Sequence, residues 1–489
     1  MKTQDSIDIP TAETTHVKKR TRLATIGAIL VVALIIGASA AVFAQLSQQH
    51  KNAALPPTGN WVTVLQGYTI TSLAAANNSP GVLYACATRA NSNFTVLRST
   101  DFGSHWQDIG SKAALGETCQ LAINPTNSND IFATGVSIMG NGQATAMLKH
   151  STDGGQSWAS VQPTLNMTSS SSSTPVVWNV QELRFVGSTL FGLQWLPLNV
   201  NPTGTRGTLP RYFTRLSRLV SSTDGGQTWK AVDAQLAMGG QSVSSYAVDP
   251  TNSSTIYELV STPWWPIQPR EVEPNDIIPT FGSNGNLYKT TDGGATWHLL
   301  LKNLPFGAQL QLAGSNTQTL YVGGTRSPLP YIRSGATNGT NDVQSGFNLQ
   351  MSSDGGATWR AVPPLPQASF VQGWFVTKNG QVFINTNTGF VPGVQPTAIV
   401  GTAIAVTPQS GTIPSISEHA VALTTPPTST TQTAATIQRY DSSTNAWSVV
   451  TKPPTYGVML AVTPGDANSN VLWFLGTTNG KTALYRFIA

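Results

Sequence analysis

The sequence has little charge. Asp, Glu, Lys and Arg make up only 10% of 489 residues, while Gly, Pro and small polar residues are abundant. Long helices draw on Ala, Leu, Glu and Lys, so this composition argues against a helical protein and for short strands joined by many turns. Cysteine is scarce as well. Cys86 and Cys119 either bridge in an oxidising compartment or serve as two small buried hydrophobes. The six histidines are scattered without the paired spacing of a zinc site. Neither a phosphate-binding Gly-rich Lys motif nor a Gly-x-Ser-x-Gly nucleophile turn is present. No metal or cofactor is expected.

The net charge of +5 does not mark a nucleic-acid surface. Lys2, Lys18, Lys19, Arg20 and Arg22 precede the first apolar segment, together with Asp5, Asp8 and Glu13. Setting these aside reduces 27 basic and 22 acidic residues to 22 and 19. The remainder of the chain is nearly neutral, and nucleic acid is not an expected partner.

Leu23 to Leu46 contains no charged residue. At 1.5 Å per residue this run spans a bilayer core as a helix. The basic cluster Lys18-Lys19-Arg20-Thr21-Arg22 precedes it, and such charge stays cytoplasmic. The expected organisation is a cytoplasmic tail (1–22), a transmembrane signal-anchor helix (23–46), a linker (47–58) and an external domain (59–489). A cleaved signal peptide ending near Val42-Phe43-Ala44, giving a secreted protein, is the alternative.

One pattern recurs five times in that domain: Ser/Thr-x-Asp-x-Gly-x-x-Trp. The copies carry Asp101 with Trp106, Asp153 with Trp158, Asp224 with Trp229, Asp292 with Trp297, and Asp354 with Trp359. The Asp carboxylate can accept N–H groups of its own turn. Glycine two positions later supplies a positive φ, and Trp opens the next strand with a large flat surface. Short alternating strands such as FTVLRS and GNLYKT precede the copies. The pattern resembles the Asp-box, or BNR, repeat of sialidases, sortilin-type receptors, photosystem II assembly factors and several glycoside hydrolases. That resemblance implies a β-propeller. It does not select one function, because so many share the box.

A second unit lies between the boxes: an apolar strand, a turn rich in Asn, Pro, Asp or Gly, and another apolar strand. Clear copies are Cys119–Gly135, Ser242–Val260 and Leu310–Gly324; looser ones are Tyr68–Ala87, Asn179–Trp195, Phe370–Asn387 and Val458–Thr477. A degenerate sixth strand-turn-Trp unit surrounds Asp441 and Trp447. The seventh is split: Ala483–Ala489 ends the chain as a strand, and Gly59–Gln66 opens the domain with Trp61. Pairing these two closes a ring and removes open sheet edges. The expected fold is all-β, a seven-bladed propeller of four-stranded blades, with six blades as the alternative.

In such a ring the box turns share one face. The long insertions fall between second and third strands and emerge on the other: Leu196–Thr214, Thr262–Gly285, Thr325–Gly346 and Thr388–Ala435, the last with room for an extra strand at Ala398–Val406. Insertions of this length call for either a functional reason or disorder, and the Thr/Ser/Pro stretch Thr424–Ala435 reads as flexible. They carry Arg206, Arg211 and Tyr212; Trp264, Trp265, Arg270, Glu271, Glu273 and Asp276; and Arg326, Tyr331 and Arg333. Aromatic planes with Arg forks can hold sugars or acidic ligands. The competing reading is that the Trp pair packs within its own loop and the charges are solvated.

The sialidase resemblance further implies an arginine triad and an Arg-Ile-Pro signature before the boxes. Tyr68–Leu73 reads YTITSL there, without arginine. A carboxylate pair drawn from separate blades leaves no linear motif, so Glu182, Glu258, Glu271, Glu273 and Asp276 stay as candidate acids. The expected function is a binding module for protein, peptide or glycan, with an exo-acting, sialidase-like glycoside hydrolase as the alternative.

Overall fold

The structure is a computed structural model that describes residues 59–489, apart from a few short gaps in turns and the longer stretches 166–179, 197–215, 262–284, 326–346, 388–403 and 407–434. Residues 1–58, with the tail, the apolar run and the linker, lie outside the described residues. Among those described, no helix is long and apolar enough to cross a membrane.

Every sheet is built the same way. In blade 4, Ser242–Asp249 is innermost, followed outward by Asn252–Ser261, Gly285–Thr290 and His298–Leu304, each antiparallel to the last. Six further sheets repeat this meander. Their innermost strands are Thr69–Ala76, Gln120–Asn124, Val180–Val186, Gln309–Leu312, Phe370–Val376 and Gly457–Pro464. The last sheet is completed by the start of the domain: Val62–Gln66 forms its outer strand against Lys481–Ile488, with Val62 opposite Arg486 and Gln66 opposite Ala483. The fold is a seven-bladed β-propeller.

Two sheets gain a fifth, parallel strand. Thr164–Leu165 lies along the outer strand Thr228–Ala231 of blade 3. Ile404–Val406, within the expected extra strand of the blade-six insertion but shorter, pairs with the inner edge of Thr69–Ala76 in blade 1. The physical reason is the same at both ends of a blade: its innermost and outermost strands each offer one row of unpaired N–H and C=O groups.

The recurring turns explain themselves atom by atom. In the third, the Ser222 hydroxyl donates to Asp224 at 2.8 Å and accepts the Gly226 N–H at 2.9 Å, while Thr228 donates its N–H at 2.9 Å and its hydroxyl at 2.5 Å to Asp224. The turns at Asp153, Asp292 and Asp354 repeat these bonds. The leading Ser or Thr is thus as necessary as the Asp, a role the sequence pattern leaves implicit. Both glycines after the Asp have positive φ, 72° and 82° at Gly225 and Gly226. In the first copy Phe102 takes the first of these positions at φ 54°, and its carbonyl accepts the Arg486 guanidinium from the closing blade.

The core lies in the seams between blades. Each seam receives the tryptophan that stands at the outer strand of the blade that follows it. Trp158 packs on the blade 1–2 cluster, Trp229 on 2–3, Trp297 on 3–4, Trp359 on 4–5 and Trp447 on 5–6. Trp106 and Trp61 pack on the cluster that spans the closing blade and its two neighbours. Hydrogen bonds near the axis tie adjacent blades as well: Thr71 to the Cys119 carbonyl, the Leu310 N–H to Ser245, and the Gln311 amide bracketing Trp374 and Val376. Five innermost strands are bulged, and at the blade 3 bulge the Glu182 N–H turns out of its sheet to the Gln120 side chain of blade 2. Cys86 in blade 1 and Cys119 at the entry to blade 2 are disulfide-bonded, 33 residues apart.

Two outcomes are expected. Trp229 is 1% exposed and Trp297 half-buried, so Trp229→Ala should cost about 3–5 kcal/mol and Trp297→Ala distinctly less. Equal losses in chemical denaturation would contradict the seam packing. Hydrogen bonds from Thr228 and Ser222 hold the Asp224 carboxyl down to about 2; those from Thr358 and Ser352 do the same for Asp354. An acid depressed on folding contributes stability above its unfolded value of roughly 3.9, and that contribution is lost as pH falls through the folded value. Stability should therefore drop between about pH 4 and pH 2, and Asp224→Asn should shrink that drop; an unaltered acid profile in the variant would count against the turn's electrostatics.

Candidate functional site

The two faces differ in kind. One carries the repeated turns and the short hairpins between first and second strands, cross-linked by bonds such as Gly154 N–H to the Asn129 carbonyl and Gly293 N–H to the Ser254 carbonyl. On the other, second and third strands end at Leu196 and Leu216, Ser261 and Gly285, Thr325 and Phe347, and Asn387 and Ala435, and the insertions start from these ends. Arg206, Arg211, Tyr212, Trp264, Trp265, Arg270, Glu271, Glu273, Tyr331 and Arg333 all fall in the insertions and lie outside the described residues, as do Asp276 and Arg326.

The described part of this region is the strand platform from which the insertions spring, and its seam between blades 3 and 4 is unusually polar. Glu182 has a positive φ of 54° at the bulge of its inner strand. Its N–H donates to the Gln120 side chain at 2.8 Å, and its carbonyl accepts the Tyr246 hydroxyl at 2.5 Å. One residue thereby joins blades 2, 3 and 4. The Arg184 guanidinium lies 4.1 Å from the Tyr246 ring centroid, a buried cation–π contact. Burial drives the Tyr246 phenol far above its ordinary range, against the opposing charge of Arg184.

Further out in the same seam, Arg218 Nε donates to Asp233 at 3.2 Å, and the Leu219 N–H donates to the other carboxylate oxygen at 3.1 Å. Asp233 is fully buried, and burial raises its carboxyl in spite of Arg218. Glu258 sits on the second strand of blade 4, opposite Tyr246 and Tyr288 in register. Its side chain is 0% exposed, and among the described residues none donates a hydrogen bond to either carboxylate oxygen. Burial pushes it well above the carboxylate range, the Asp233 charge adds to that, and Arg218 offsets part of it. Its burial therefore favours the protonated, neutral form.

Chemically, Asp233 is bonded to Arg218, and both lie near enough to Glu258 for their charges to act on its carboxyl. Asp233 and Glu258 are fully buried, so they are not open to a ligand in this conformation. Of the acids expected from sequence, Glu182 and Glu258 meet the same seam; Asp233, Arg218, Arg184 and Tyr246 were not expected there. One sequence signal pointed to the place. In Ile256-Tyr257-Glu258-Leu259-Val260 a lone acid stands at an apolar parity of a buried strand.

On the turn face, Asp130 accepts His150 Nε2 at 2.7 Å and Asn124 Nδ2 at 2.7 Å, and the His150 ring stacks on Phe132 with centroids 4.0 Å apart. Burial alone would raise the Asp130 carboxyl; these hydrogen bonds outweigh it and hold the group low. Among the described residues, no group of three or more His, Cys, Asp or Glu side chains is placed to hold a metal ion.

No family model matches the chain, and no curated protein matches it in sequence. Solved structures of similar fold include YCF48 from Cyanidioschyzon merolae, 10% identical, covering 88% of this chain and 99% of that one with a TM-score of 0.46. An oligogalacturonate lyase from Vibrio parahaemolyticus is 9% identical, covering 88% and 98% with a TM-score of 0.45. A GH74 enzyme of Niastella koreensis is 15% identical, covering 85% and 65% with a TM-score of 0.33. These are likenesses of fold alone.

Tyr246→Phe removes the hydroxyl that joins blade 4 to blade 3 and leaves the buried Glu182 carbonyl without that donor. A loss of about 1–3 kcal/mol is expected, read by urea denaturation; a neutral result would show the bond contributes nothing to the seam.

Proposed function

We propose that the chain is a membrane-tethered propeller displayed outside the cytoplasm, that its repeated turns are Asp boxes, and that its insertion-bearing face binds a protein, peptide or glycan. The observation that carries this reading is the asymmetry of the ring. Four consecutive blades send insertions of about 20 residues or more from one end of their strands, whereas their opposite ends close in tight, internally bonded turns. Long loops on a rigid scaffold are where binding residues gather.

Tethering rests on the apolar run Leu23–Leu46 and its basic flank. The Cys86–Cys119 bond supports an oxidising compartment. Within the insertions, Arg206, Arg211, Trp264 and Trp265 are the side chains best suited to hold a ligand by stacking and forked hydrogen bonds.

The test uses the soluble fragment from about residue 52, the linker region, screened against immobilised peptides and glycans. Binding is expected, and it should weaken about tenfold or more, ~1.4 kcal/mol, in Arg206→Ala/Arg211→Ala and in Trp264→Ala/Trp265→Ala. Binding untouched by both pairs would place the contact elsewhere and sink the face assignment. Turnover of sialosides or plant oligosaccharides, abolished by Glu271→Gln or Glu273→Gln, would replace the binding module with a glycoside hydrolase.

A further inference from the structure

We propose that Glu258 is a one-proton switch in the seam between blades 3 and 4: neutral, it seats blade 4 against blade 3, and ionised, it loosens that seam where two insertions begin. The inference concerns the scaffold and holds whatever the insertions bind.

The argument begins with position. Tyr246 and Ile256 pack with Phe191, Leu193, Leu219 and Val232 of blade 3. Glu258 stands opposite Tyr246 in register and two residues from Ile256, so it projects from the same face of blade 4 into that apolar seam. Tyr257 and Leu259 alternate to the other side, in the cluster shared with blade 5.

Its surroundings are then accounted for. On its own sheet the register neighbours are Tyr246 and Tyr288. Across the seam, the charges that reach it are Asp233 and Arg218. Lys230 is exposed on the outer strand, while Arg184 and Glu182 lie against Tyr246. Arg218 is already bonded to Asp233, whose second oxygen takes the Leu219 N–H. Arg218 is thus engaged by Asp233, and among the described residues none donates to the fully buried Glu258 carboxyl. Arg218 offsets the burial of a charge at Glu258 only in part, so the ionised form is favoured once the group reaches water.

Water reaches it when the seam parts. Glu258 lies three residues before Ser261, where the blade 4 strand passes into the stretch 262–284. Across the seam, Arg218 lies two residues after Leu216, where the chain returns from the stretch 197–215. The sign follows from linkage. An acid raised on folding keeps a proton that the opened state has released, so stability is greatest at low pH and declines as pH rises above the unfolded value of roughly 4.3.

Two measurements test this. In protein labelled with carbon-13 glutamate, one of the seven glutamate carboxyl carbons should titrate far above the others, and Glu258→Gln should remove that signal. Hydrogen exchange is then followed from about pH 5 to about pH 9, corrected for the intrinsic rate. Amides of Asn252–Ser261 and Leu216–Ser222 should lose protection by up to about tenfold per pH unit, while those of Phe370–Val376, across the ring, keep theirs. In Glu258→Gln the seam should be insensitive to pH; in Asp233→Asn, which removes the like charge and frees Arg218, the loss should be smaller and level off at lower pH than in wild type. The proposal is overturned if no glutamate titrates high, if wild type and Glu258→Gln share one pH profile, or if protection falls evenly around the ring. Should Glu258→Gln not fold, the wild-type titration and the Asp233→Asn profile still decide it.

Discussion

The ring depends on one sheet pairing. Val62–Gln66 must lie beside Lys481–Ile488, because without it blade 7 has three strands and the domain keeps an open edge at each end of the chain. Gly59 and Gly67 donate to the carbonyls of Ile488 and Thr482 and bracket the pair. Trp61 fastens it from the side, with its indole N–H donating to Thr451 of blade 6 and its ring packed against Phe487. Arg486 then crosses to blade 1, donating to the Phe102 carbonyl and to Ser104. Blades 6, 7 and 1 are thereby locked by the same two strands.

Closure lets seven thin sheets act as one body. No blade has an enclosed core of its own; its apolar faces are covered by its neighbours, and a tryptophan fills each seam. Stability is therefore shared by nearest-neighbour contacts, as in open repeat proteins, but without end units that need caps. The departure of Phe102 from the glycine of the other copies fits this account. That position meets the closing blade, where the ring is fastened rather than repeated, and Phe102 is buried there.

The architecture was legible in the sequence because it rests on short-range rules. A turn needing a hydroxyl, an acid and two left-handed glycines at fixed spacing leaves the same mark at each occurrence, as at Ser222-Thr223-Asp224-Gly225-Gly226. Strand-like runs before each copy fixed the meander, and Trp61 beside a terminal strand without a partner fixed the closure. The polar seam was much less visible. Glu182 and Tyr246 are 64 residues apart and meet through a backbone carbonyl, a contact that no side-chain identity at position 182 dictates. Arg218, Asp233 and Glu258 come from three different segments of two blades, and only Glu258 breaks a local apolar pattern. The proposed binding residues sit in segments whose sequence carries chemistry, Arg and Trp, but no period from which geometry could be read.

The pairing that closes the ring also fixes an order of events in synthesis. Val62–Gln66 is among the first strands of the domain to leave the ribosome, yet its partner is made after the other six blades. Until then the amino-terminal strand has no mate, and blade 1 lacks the Arg486 contact that holds its first turn. Until the last strand is made the chain is an unfastened arc, and its early edge stays open to pairing with other strands.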